Sequence, residues 1–95
     1  MNASILIVED DLVMSQKLSQ FLLEQGFAVN TARSGVEAMA KFRSEGYDIV
    51  ITDLVMPGID GMELLREIKK LKPTTKVLII TAFGTVPSAV EAIRK

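Results

Sequence analysis

Between Tyr47 and Gly61 the chain reads YDIVITDLVMPGIDG, and no other stretch limits the fold as much. Ile49, Val50 and Ile51 form an uninterrupted β-branched run bounded by polar and turn residues, the pattern of a short strand buried on both faces. A strand of that kind belongs inside a sheet covered by helices on each side. The run ends in Asp53, and a turn then leads to a helix starting near Gly61. A carboxylate at the carboxyl end of such a strand lies where open α/β sheets bind ligands. An Asp before a loop also serves as an ordinary turn cap, so both roles stand until the rest of the chain is read.

The same unit recurs along the chain. Ser4 to Val8 is a second apolar run and ends in Glu9, Asp10 and Asp11. From Leu12 to Gln25, Met14, Leu18, Phe21 and Leu22 fall on one helical face. Asp10 or Asp11 suits the N-cap of that helix and Gly26 its left-handed C′ position. Ala28 to Ala32 reads as a short edge strand. Ser34 and Glu37 have the spacing of a capping box, and Ala38, Met39 and Phe42 continue it as an apolar stripe. Beyond the central strand, Asp60 caps a helix whose Leu64, Leu65, Ile68 and Leu71 are expected to face the core. Lys69, Lys70 and Lys72 suit the negative end of its dipole, and Pro73 ends it. Val77 to Ile80 is a fourth strand, closed by Thr81. Thr85 caps a last helix with Val86, Ala89, Val90 and Ile93 on one face, and Pro87 in its first turn is tolerated. The order βαβαβαβα, with strands apolar on both faces, implies a parallel sheet with right-handed crossovers and helices on both sides.

Composition removes several classes of function. A chain of 95 residues, 48% hydrophobic and 24% charged, suits one soluble α/β domain. The net charge of −1 with scattered basic residues argues against direct nucleic-acid binding. There is no Cys and no His, so thiolate and imidazole metal ligands, disulfides and His acid–base catalysis are excluded. No apolar run has the length of a membrane span, and the N-terminus lacks the basic start of a signal peptide. A cytoplasmic location is expected.

In a parallel sheet all carboxyl ends lie along one edge. Asp10 and Asp11 after the first strand, Asp53 after the third and Thr81 after the fourth therefore converge. Singly, the first pair reads as helix caps and Thr81 as a strand-end hydroxyl. Together, like charges crowded at one edge repel unless one takes a proton or a cation binds. With oxygen ligands alone the cation should be hard. Few protein ligands with room for water favour Mg²⁺ over Ca²⁺.

Glu9-Asp10-Asp11, the Asp53-Leu54-Val55-Met56-Pro57-Gly58-Ile59-Asp60-Gly61 segment and Thr81-Ala82 resemble the receiver domain of two-component response regulators, in order and spacing, from Ile5 to Lys95. The resemblance implies a flavodoxin-like, doubly wound parallel sheet of strand order 2-1-3-4-5. It implies that Asp53 accepts a phosphoryl group from a phosphohistidine on a sensor histidine kinase. Asp10, Asp11 and Asp53, with the backbone carbonyl of Val55, would hold Mg²⁺. Thr81 would bond the phosphoryl oxygen and Ala82 would leave the phosphate path open. The loop from Phe83 to Val86 and the fourth helix would shift in response, so that the β4–α4 surface switches an output domain or partner. The stretch from Thr81 to Ala92 is also similar to activators of enhancer-dependent transcription. Such a receiver is a phosphoacceptor that assists its own phosphorylation and dephosphorylation, not an enzyme acting on other substrates.

The family's fifth strand and helix, with a phosphate-binding Lys and an aromatic switch residue, have no counterpart before Lys95. The expectation is a sheet of order 2-1-3-4, cut from a larger regulator, with Val77 to Ile80 as an apolar edge inclined to pair with a second chain. Pairing through the fourth helix is the other expected route to a homodimer. Two rivals fit less well. A haloacid-dehalogenase type phosphatase needs a second Asp where Val55 stands, and an unphosphorylated interaction module would not need Asp10, Asp11, Asp53 and Thr81 together. Val55 and Phe83 occupy the two positions that flank the phosphate and tune its hydrolysis in this family. Both are apolar and neither orients a water, so slow loss of the phosphoryl group is expected. Val55→Asn should shorten its lifetime in a phosphate-release assay; unchanged decay would remove the idea.

Overall fold

The computed structural model describes residues 3–53 and 58–80. Its elements follow the order β1 (Ser4–Val8), α1 (Leu12–Glu24), β2 (Ala28–Ala32), α2 (Gly35–Glu45), β3 (Ile49–Asp53), α3 (Gly61–Leu71) and β4 (Lys76–Ile80). Among the described residues the strands form one parallel sheet of order β2-β1-β3-β4. This is the doubly wound arrangement expected from strands that are apolar on both faces. The fourth helix and Thr85 lie outside the described residues.

Alternation along each strand divides the core in two. Ile5, Ile7, Ile49 and Ile51 point to the face covered by α1 and pack with Leu18 and Leu22. Leu6, Val8 and Val50 point to the opposite face and pack with Ala38, Met39 and Phe42 of α2 and Leu64 and Ile68 of α3. β1 is thus buried from Ile5 to Val8, as a central strand without hydrophobic alternation requires. Val77 packs against the α2–α3 side, and Leu78 and Ile80 against the α1 side.

Local signals set the helix ends. Asp11 accepts from the amides of Val13 and Met14 and starts α1. Ser34 Oγ accepts from the Glu37 amide at 3.1 Å, while the Glu37 carboxylate lies 3.3 Å from Lys41 Nζ. Asp60 Oδ1 accepts from the Glu63 amide at 2.9 Å and starts α3. Each satisfies amides that have no partner within their helix. Gly26 has φ 94°, the left-handed conformation that leads from α1 into β2. Lys69 Nζ donates to the carbonyls of Pro73 and Thr75 beyond the end of α3, a contact more specific than the expected attraction to the dipole.

The amino ends of the strands are tied by polar groups. Asp48 Oδ2 accepts from the Ser4 amide at 2.9 Å and from its hydroxyl at 3.2 Å, joining the entries to β1 and β3. These bonds hold the Asp48 carboxyl below its ordinary range. Buried Thr75 donates to the Tyr47 carbonyl at 3.0 Å, tying β4 to β3.

Two expectations change. Leu71, the last residue of α3, is 51% exposed rather than packed on the core. Leu65 is half-buried, beside the fully buried Leu64. Replacing Ile51 by Ala should therefore lower unfolding free energy by about 2–5 kcal/mol, from lost burial and a residual cavity. Leu71→Ala should change it by about 0.5 kcal/mol or less. Urea denaturation of both variants checks this, and equal losses would mean that Leu71 packs on the core after all.

Candidate functional site

Parallel pairing of β1 and β3 brings Val8 opposite Thr52. The next residues on the two strands, Glu9 and Asp53, therefore emerge side by side at the carboxyl edge. The Glu9 amide donates to the Ala32 carbonyl of β2 at 3.0 Å, which fixes the exit of β1. One carboxylate oxygen from each of Glu9, Asp10 and Asp53 lies within 4.8 Å of the others. Glu9 is buried, Asp53 half-buried and Asp10 exposed, so the cluster runs from the core outward to solvent.

The spacing predicts Asp10, Asp11 and Asp53 as the acidic set. The structure brings Asp10 and Asp53 together, and the third member of the group is Glu9. Asp11 is outside it: its Oδ1 takes the amides of Val13 at 2.9 Å and Met14 at 3.2 Å. Helix capping, the alternative open for Asp10 or Asp11 in the sequence, falls to Asp11. Glu9 was legible only through strand register, since its neighbour across the sheet is set by the pairing of β1 with β3. Val55, Thr81 and Ala82, expected at the same edge, lie outside the described residues. Ile80, which directly precedes Thr81, pairs in register with Asp53.

Burial and crowded charge act together on Glu9. Its carboxyl is pushed up to about 7, foremost by burial. The charge of Asp53, a hydrogen bond with it and the charge of Asp10 add to this, while the donated Asp11 amide opposes it. Glu9 therefore takes up a proton more readily than an exposed Glu does. A divalent cation would do the same work with more charge. The donor set is all carboxylate, in a chain without His or Cys, which fits a hard ion. The exposed side at Asp10 leaves room for water, as Mg²⁺ requires. Concavity alone would point elsewhere: a cavity of about 480 Å³ lined by Ala3, Phe27, Ile49 and Thr75 opens at the amino ends of the strands.

The sequence profile of the response regulator receiver domain matches residues 5–95. The chain is 41% identical over 93 residues to the transcriptional regulatory protein GlrR of Escherichia coli K12, an alignment covering 98% of this chain and 21% of that protein. It thus spans about a fifth of the length of the curated relatives it matches. Among solved structures it is similar to the response regulator TrrA of Thermotoga maritima in complex with Mg²⁺ and BeF, at TM-score 0.82 and 42% identity, covering 88% of this chain and 72% of that one. TrrA bound to the histidine kinase ThkA gives TM-score 0.80 and 41% identity, covering 90% and 72%.

The raised Glu9 carboxyl has a definite linkage sign. Between the ordinary value of 4.5 and about 7, the ion-free folded chain binds more protons at Glu9 than the unfolded chain does. Stability contributed there falls as pH rises through that interval and levels off above it. Glu9→Gln should remove that fall in thermal denaturation with chelator present. Identical pH profiles for the two proteins would show that folding does not raise the Glu9 carboxyl.

Proposed function

Because the chain belongs to the response regulator receiver domain family of two-component systems, we propose that it accepts a phosphoryl group on Asp53 from a sensor kinase phosphohistidine. The observation that carries this reading is the meeting of the Glu9, Asp10 and Asp53 carboxylates within 4.8 Å at the carboxyl edge of the sheet. An Asp53 oxygen attacks phosphorus, the bond from phosphorus to the imidazole nitrogen of the donor breaks, and an aspartyl phosphate forms. Mg²⁺ held by Glu9, Asp10 and Asp53 would supply the positive charge that offsets negative charge developing on the phosphoryl oxygens. Asp11 keeps α1 capped, and so holds the backbone that carries Glu9 and Asp10. Glu9, in its ionised form, completes the anionic set; in its protonated form it relieves the repulsion when no ion is bound.

The Val55 carbonyl, Thr81 as phosphate sensor and Ala82 as the open path to phosphate belong to the same proposal. So does the change of the β4–α4 surface on phosphorylation. Support for the kinase as donor comes from TrrA, whose complex with the histidine kinase ThkA is known. Support for an output domain comes from transcriptional regulators such as GlrR, in which the matched region is a small part of the protein. The chain acts in this reading as a regulated acceptor that assists its own phosphorylation and dephosphorylation, in the cytoplasm, where a kinase would reach it. Among the described residues no helix is long and apolar enough to cross a membrane.

Beryllofluoride with Mg²⁺ should shift the amide resonances around Asp53, and omission of Mg²⁺ or the Asp53→Asn substitution should abolish the shift. A wild-type spectrum indifferent to beryllofluoride and Mg²⁺ together would overturn the reading.

A further inference from the structure

Among the described residues β2 is an outer strand of the sheet, paired with β1 on one side only. Such an edge offers free amides and carbonyls to any second strand. The ladder shows which groups those are. The Ala28 amide donates to the Ala3 carbonyl, and the Ala32 carbonyl accepts from the Glu9 amide. Ala28 and Ala32 therefore turn their backbone groups toward β1. Successive residues of a strand turn theirs to opposite sides, so Asn30 shares that direction while Val29 and Thr31 face outward.

Thr31 is already occupied. Its amide donates to Asn30 Oδ1 at 2.8 Å, and its carbonyl accepts from Lys41 Nζ of α2. Both side chains are held from behind. Asn30 Nδ2 donates to the hydroxyl of buried Tyr47 at 2.9 Å, and that hydroxyl donates to Glu45 Oε2 at 2.8 Å. With its nitrogen on Tyr47, the Asn30 amide has its oxygen turned to Thr31. Lys41 Nζ lies 3.3 Å from Glu37 Oε2 and 3.5 Å from Asn30 Oδ1, so the two side chains that close Thr31 also meet each other.

A second copy laid antiparallel along β2 exchanges bonds through outward-facing residues. Either Val29 of each copy faces Thr31 of the other, or Thr31 faces Thr31, and both arrangements need Thr31 free. Val29 facing Val29 leaves a single bonded residue pair. We propose that Asn30 and Lys41 form a clasp that closes the β2 edge to a second copy of this chain, so that association between copies is directed to another surface. The phosphoacceptor reading plays no part in this inference.

Asn30→Ala removes the acceptor from the Thr31 amide. Lys41→Met removes the donor from its carbonyl and keeps an apolar stem. Asn30→Asp with Lys41→Arg retains both groups. Sedimentation equilibrium and amide hydrogen exchange over a concentration series compare wild type with the two double variants. Asn30→Ala/Lys41→Met should self-associate about tenfold or more tightly than wild type, the weight of about one net backbone hydrogen bond. Exchange at its Val29 and Thr31 amides should slow as concentration rises. Wild type and Asn30→Asp/Lys41→Arg should show no such slowing at these amides, whatever contacts they make elsewhere. Association of Asn30→Ala/Lys41→Met no tighter than wild type overturns the proposal. So does tighter association that leaves both amides unchanged, or slowing that Asn30→Asp/Lys41→Arg shares. Should Asn30→Ala/Lys41→Met not fold, Lys41→Met alone changes one partly exposed side chain and frees the Thr31 carbonyl. It should then slow exchange at the Val29 amide with concentration, and constant exchange there overturns the proposal equally.

Discussion

Repulsion among carboxylates at one edge of a parallel sheet is the interaction around which this molecule is built. It is unfavourable, and the fold produces it deliberately in the sense that β1 and β3 are neighbours in register. Burial makes it worse, since a carboxylate at the end of a central strand loses water that an exposed one keeps. Burial first, and the neighbouring charges after it, push the Glu9 carboxyl up to about 7. The cluster is thus the place where added positive charge would bind with most effect. Folding energy and ligand affinity are thereby linked, because whatever neutralises the cluster in the folded chain also stabilises it.

The apolar sheet supplies the rigidity that such a cluster needs. β1 is covered by α1 on one face and by α2 and α3 on the other, and its hydrogen-bonded pairing with β3 sets the carboxyl ends of the two strands side by side. Side chains placed on strands hold their positions better than those on free loops. The neighbouring segments are tied down by local means: Asp11 by its own helix, Asp60 by α3, and Ile59 by its seat on Gly35. Charge therefore sits at the exits of rigid strands, and the connections carry residues whose positions depend on those exits.

Residue chemistry and periodicity determined a good deal by themselves. Unbroken apolar runs required strands buried on both faces, and their alternation with amphipathic segments required parallel order, because each crossover must return along a helix. Helix starts were legible where one side chain meets amides two or three residues on, as with Ser34 and Asp60. The absence of His and Cys restricted any metal to a hard ion before a single contact was known. Asp53 stood out because it follows, at the end of one short strand, the apolar run of Ile49, Val50 and Ile51.

Tertiary structure decided what depends on partners distant in the chain. Which two of Glu9, Asp10 and Asp11 join Asp53 is decided by where β1 ends beside β3 and where α1 begins. Glu9 and Asp10 fall at the exit of β1 and join the cluster, and Asp11 is taken by the helix it caps. Leu71 has the spacing of a core residue, yet lies at 51% exposure at the last position of α3. Gly35 looks in the sequence like a poor helix residue, and only the approach of Ile59 from beyond β3 explains it. Periodicity is a property of one segment, whereas exposure, charge neighbours and close contacts arise only when segments meet.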